Sequence, residues 1–89
     1  MTGVRAKEPT KTIPVFVVAP PRALLLDVAG PLEAFRKANL VQAAARFDIR
    51  HVGPAPEVTT SIGLPLAGVA ALPDGVAQGA IVMVAGAVD

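Results

Sequence analysis

The chain has 89 residues, 53% hydrophobic and 17% charged, with a net charge of +1 and no cysteine. That length suffices for one small domain, which buries only about 60–65% of its unfolded surface, and the apolar content argues against disorder. Basic residues spread along a nearly neutral chain exclude a nucleic-acid patch, and the lack of cysteine excludes a disulfide framework, a thiolate-ligated metal and a thiol nucleophile within these residues.

Residues 1–12 read as a polar, flexible leader carrying Arg5, Lys7, Glu8 and Lys11. The apolar run Ile13–Ala19 is too short to span a membrane. It also fails as a signal peptide, because Glu8 precedes it and Pro20-Pro21 follows it. The expectation is a cytoplasmic protein with no membrane partner.

Val15–Ala19 is predicted to be a strand covered on both faces, ended by Pro20-Pro21. A helix follows, with Pro31 suited to its first turn. It runs to about Arg46 and places Leu32, Phe35 and Ala38/Asn39 on one face. Phe47–Val52 alternates apolar and polar residues, as a half-covered or edge strand does. Gly53-Pro54-Ala55-Pro56 is a turn. Val58–Leu66 reads as a short hairpin around Ile62-Gly63, and 67–79 as a loop with one helical turn, punctuated by Pro73-Asp74-Gly75. Ala80–Ala85 is a second fully apolar strand.

This order predicts an α/β fold with a mainly parallel sheet. Such sheets need helices on both faces, and the sequence shows one strong helix. The expectation is therefore the first third to half of a larger domain. A complete small α+β domain with unusual packing is the alternative.

Ligands of open parallel sheets bind at the carboxyl ends of strands, here Pro20–Asp27, Gly53–Pro56 and Gly86–Asp89. Asp27 reads either as a helix N-cap or as a pocket carboxylate. Glu33 falls in the expected first turn, where a carboxylate meets the positive end of the helix dipole. The two acids are six residues apart and face different ways on a continuous helix. A paired-carboxylate site would need a bend at Gly30-Pro31. His51, the single histidine, has no acid near it in sequence and reads as a surface or partly buried residue, making neither a triad nor a metal site. Thr59, Thr60 and Ser61 read as loop residues. No glycine-rich nucleotide-binding motif occurs, so no cofactor and no metal are expected.

The segments Val15–Ala19, "LLLDVAGPLEAFRKAN" (Leu24–Asn39), "FDIRHVGP" (Phe47–Pro54), "TTSIGLPL" (Thr59–Leu66) and "AIVMVAGAVD" (Ala80–Asp89) follow one another as in a known family. Together they resemble the ThiJ/PfpI superfamily of class I glutamine amidotransferase-like domains. The nearest likeness is to the amidase-like domain at the N-terminus of GlxA-type, AraC-family transcription regulators. Asp27, Gly30, Pro31, Glu33 and Phe35 match its aspartate-x-x-glycine-proline-x-glutamate-x-phenylalanine pattern, and the likeness covers about residues 13–89.

The resemblance implies a partial flavodoxin-like α/β sandwich. It implies that Asp27 lines a ligand pocket, where in enzyme members the matching acid tunes a cysteine on a later turn. Gly86-Ala87 matches a glycine pair whose backbone N–H groups line the same pocket, and Ala87 departs from that pattern. Gly30, Pro31 and Glu33 are implied to be helix-start or supporting residues. The cysteine turn and the DNA-binding helix-turn-helix would lie beyond Asp89. No catalytic residue is expected in this chain.

Three readings follow. The chain is the N-terminal part of a regulator's sensor domain, with an unidentified small-molecule ligand, a homodimer as in the family, and DNA contacted only through a domain absent here. Alternatively, it is part of a stand-alone hydrolase or hydratase using a downstream cysteine. Or it is a non-functional truncated remnant.

Overall fold

Strand β1, Lys11–Val18, is the centre of the sheet in a computed structural model that describes residues 11–88. Helix α1 (Leu25–Val41) follows, then β2 (Ala45–Gly53), the short β3 (Val58–Thr59) and β4 (Pro65–Leu66), β5 (Ala70–Ala71) and β6 (Ile81–Val84). Four strands form a wholly parallel sheet in the order β5-β2-β1-β6, and β3 and β4 form a separate antiparallel hairpin. This is an α/β fold with one helix among the described residues.

β1 runs in register with β2 from Lys11↔Ala45 to Val18↔Val52, and with β6 from Val15↔Ile81 to Val18↔Val84. Pro14 thus falls where β1 has a neighbour on one side only, so its missing N–H breaks no ladder on the open side. β2 is the sheet edge for most of its length, in keeping with its alternating residues. β5 joins it only at Val52 and Gly53.

The helix covers one face. Val15 and Val17 are fully buried there, with Val28, Leu32, Phe35, Phe47 and Ile81 packed around them. The rings of Phe35 and Phe47 lie 4.9 Å apart in a tilted pair. The opposite face carries Phe16, Val18, Val82 and Val84, which share register positions. Val82 and Val84 remain 50% and 69% exposed. The second layer that a parallel sheet calls for is missing among the described residues.

Four boundaries differ from the sequence-based expectation. Lys11 and Thr12 belong to β1 rather than to a leader; residues 1–10 of that leader lie outside the described residues. The helix begins at Leu25, so Pro31 is internal to it instead of in its first turn. Its entrance is satisfied by a distant segment, which no local capping signal announces. The helix also stops at Val41 rather than near Arg46. There the Gln42 side chain brackets Ala45, accepting its N–H at 3.0 Å and donating to its carbonyl at 2.7 Å. That clamp replaces the helical bonds an alanine run would otherwise make. Finally, 67–79 contains β5 and no helical turn.

The hairpin forms where expected. Thr60 donates both its N–H (3.0 Å) and its Oγ1 hydroxyl (2.8 Å) to Leu64 O, and Gly63 takes the left-handed φ of +85° that closes the turn.

Candidate functional site

From β1 the chain passes to β2 and β5 on one side of the sheet, then returns to lay β6 on the other. The crevice between the carboxyl ends of β1 and β6 is therefore the point where neighbouring parallel strands lead away in opposite directions. Open α/β sheets bind ligands at such points. Ala19–Leu24 leaves β1 here, and Ala85–Val88 leaves β6.

Backbone bonds lock these two segments together. Leu24 N–H donates to Gly86 O at 2.8 Å, Val88 N–H donates to Arg22 O at 3.1 Å, and Ala23 and Ala87 form the bridge between them. The hairpin holds the first segment from its other side, with Arg22 N–H donating to Thr59 O at 2.8 Å and Ser61 N–H to Ala23 O at 2.9 Å. Arg22 occupies the left-handed region at φ 62°, a conformation that costs about 1–2 kcal/mol outside glycine. Its backbone bonds on both sides, and its Nε bond to Val88 O at 3.2 Å, hold it there.

Asp27 sits in the first turn of α1 and is exposed. It is not the N-cap: that position is Leu24, which makes no side-chain capping bond. Instead the Asp27 carboxylate reaches across the crevice, where Oδ2 accepts the Gly86 N–H at 3.0 Å. Gly86 thus bonds the helix entrance twice, through its carbonyl to Leu24 and through its N–H to Asp27. Among the described residues Asp27 Oδ1 has no hydrogen-bond partner. A Cβ at Gly86 would lie 2.9 Å from Asp27 Oδ2 and 3.2 Å from Leu24 Cδ1. Glycine here permits the close approach of carboxylate to backbone.

Ala87 pairs with Ala23 as a non-hydrogen-bonded pair, because the ladder bonds run through Leu24–Gly86 and Val88–Arg22. Its own N–H therefore points away from that ladder. The structure brings Asp27 against Gly86, with Ala87 next along the loop and paired with Ala23.

The other predicted residues stand apart. Glu33 pairs with Arg36 at 2.8 Å on the exposed side of α1. Gly30, Pro31 and Glu33 lie beyond the first turn, which corrects their reading as the helix start. Their distance from the entrance follows from Gly86 satisfying that entrance upstream, at Leu24. His51 is exposed beside an apolar hollow of about 200 Å³ walled by Ala19, Val28, Leu32, Leu66 and Val69. No group of three or more histidines and acids that could hold a metal occurs among the described residues. Thr60 is a buried structural residue with its hydroxyl satisfied. The sequence reading passed over Arg22 and Leu24. Pro20-Pro21-Arg22, a cation held between a strand and a helix, was the available signal.

Compared with known proteins, the chain matches no family model, no curated protein and no solved structure. Among the described residues no helix is long and apolar enough to cross a membrane.

Proposed function

We propose that the Asp27–Gly86 crevice is part of the ligand-binding pocket of a sensor domain, of the ThiJ/PfpI type that precedes the DNA-binding domain in AraC-type, GlxA-type transcription regulators. On this reading the sheet belongs to a flavodoxin-like sandwich, the protein works in the cytoplasm, and the ligand is a small molecule. DNA is contacted only by a separate helix-turn-helix domain.

One observation carries the reading. The acid of the Asp27-x-x-Gly30-Pro31-x-Glu33-x-Phe35 motif and the Gly86 loop, distant in sequence, meet at the topological switch point of a parallel sheet. One carboxylate oxygen is fixed by Gly86, and the other is left for a donor group of a ligand. Binding is favoured over catalysis because Ala87 stands where the resembled pattern has glycine.

The test is to sequence the encoding DNA through and past the codon for Asp89. The expected result is a frame that continues into further α/β elements and a helix-turn-helix domain. A stop codon at that point overturns the reading. A frame with a cysteine in a strand-to-helix turn and no helix-turn-helix also overturns it, in favour of a hydrolase or hydratase.

A further inference from the structure

The outer side of β2 is occupied by two different devices. Ala19 N–H donates to Val52 O at 2.9 Å, so Val52 turns its backbone groups inward, to the side of β1. Alternation along the strand then turns those of Ala45, Phe47 and Ile49 outward. Ala45 exchanges two hydrogen bonds with the Gln42 side chain, at 3.0 and 2.7 Å, and Phe47 exchanges two with the Asn39 side chain, at 2.8 and 2.9 Å. At the far end β5 lies against the same side, in register at Val52 and Gly53. Ile49 is left between them, its outward N–H and C=O without a partner among the described residues.

Each side-chain amide does what a residue of a neighbouring strand would do. The head of Asn or Gln offers a carbonyl acceptor and an N–H donor in the arrangement of a peptide group. Exchanging both with a single residue reproduces the hydrogen-bonded pair of an antiparallel ladder. Ala45 and Phe47 are consecutive outward positions, about 6.6 Å apart along the strand. Asn39 and Gln42 are three apart at the end of α1, so one side of the helix end presents both heads.

We infer that Asn39 and Gln42 form an edge cap, a pair of side chains that bars the strand of another molecule from adding to β2. A strand approaching this side finds its hydrogen-bonding positions taken by the two amides at Ala45 and Phe47 and by β5 at Val52–Gly53. What remains open is Ile49 alone, too short a run to seat a ladder. The strand itself is otherwise suited to pairing, because Phe47 and Ile49 are of strand-forming types. Arg46, Asp48 and Arg50 add charge along it, which is another means of protecting a sheet edge. The cap also accounts for two amides in the alanine-rich stretch from Ala38 to Ala45, where alanine would favour a longer helix. The inference rests on the backbone of β2 and is independent of the functional reading above.

The probe is a fluorescently labelled peptide with the sequence of β2, Ala45–Gly53. It should bind the double variant Asn39→Ala/Gln42→Ala about tenfold or more tightly than it binds the wild-type protein. Val28→Ala shortens a buried side chain near the other end of α1. It controls for lost stability and should bind the peptide no better than wild type. Amide hydrogen exchange of the wild-type protein gives a second reading that needs no variant, and it decides alone if the double variant does not fold. The amides of Ala45 and Phe47 should be protected and that of Ile49 should exchange fast. Equal peptide binding by wild type and double variant overturns the inference. So does a gain in Val28→Ala as large as in the double variant, which would trace the binding to unfolding. An Ile49 amide protected as strongly as that of Phe47 also overturns it, because something other than the two side chains would then cover the edge.

Discussion

Asn39 and Phe47 exchange two hydrogen bonds, from Phe47 N–H to Asn39 Oδ1 at 2.8 Å and from Asn39 Nδ2 to Phe47 O at 2.9 Å. The last turns of α1 are thereby tied to the start of β2, on the open edge where Phe47 has no further strand beside it. An asparagine side chain acts here as the missing strand neighbour.

Asn39→Ala removes both partners at once from a part-buried backbone pair. It should cost about 1–3 kcal/mol, read as a fall in the urea midpoint with an unchanged slope. Glu33→Ala, which breaks only an exposed ion pair on the same helix, should stay within about 0.5 kcal/mol. Equal effects from the two variants would show that the Asn39 bracket does not hold β2.

The interior of α1 contains a glycine and a proline that its packing does not require. A Cβ at Gly30 meets nothing within 4 Å, so Gly30→Ala should stabilise the protein by about 0.5–1 kcal/mol. Pro31 lacks the N–H that would bond the Asp27 carbonyl four residues back. Pro31→Ala should add about 1–2 kcal/mol, after allowing for the greater freedom it gives the unfolded chain. Calorimetric unfolding should show both melting temperatures rise, by roughly 4–8 °C per kcal/mol for a domain of this size. A fall for Gly30→Ala would mean that α1 depends on a bend at that point.

At the crevice, Gly86→Ala places a methyl carbon 2.9 Å from Asp27 Oδ2. The carboxylate has to swing aside and its bond to the Gly86 N–H is lost. The expected cost is about 1–2 kcal/mol in the wild-type background and smaller in Asp27→Ala, where no carboxylate remains to be displaced and only the contact with Leu24 Cδ1 at 3.2 Å is left. A double-mutant cycle by chemical denaturation measures the difference. Additive effects, within about 0.3 kcal/mol, would show that the two residues do not interact in solution.

The strands were legible where their side chains alone carried the signal. Val15–Ala19 and Ala80–Ala85 are uninterrupted apolar runs, and both lie in the sheet with only their ends moved. The alternation of Phe47–Val52 marked an edge, and β2 is one for most of its length. The ends of α1 were not legible, because distant or unexpected groups set them: Gly86 at the entrance, and the amides of Asn39 and Gln42 at the exit. β5 is two alanines held by register against Val52 and Gly53, which no propensity foretells. Asp27 was found from its motif and its place after a strand. That its carboxylate reaches Gly86 rather than capping its own helix depends on the return of β6 beside β1. The pairing of strands decides that, and local sequence does not.

The central position of β1 also orders the steps by which the molecule forms. Its partner β2 is separated from it by one helix, whereas β6 joins it from the far end of the described chain. Closing the longer loop carries the larger entropy cost before any contact rewards it, and contacts so distant in sequence slow folding. A β1-α1-β2 unit can therefore close first, with Phe35 on Phe47 and Asn39 bracketing the strand. The carboxylate of Asp27 meets the Gly86 amide only when β6 docks, so the crevice exists only after the most distant parts of the chain have found each other.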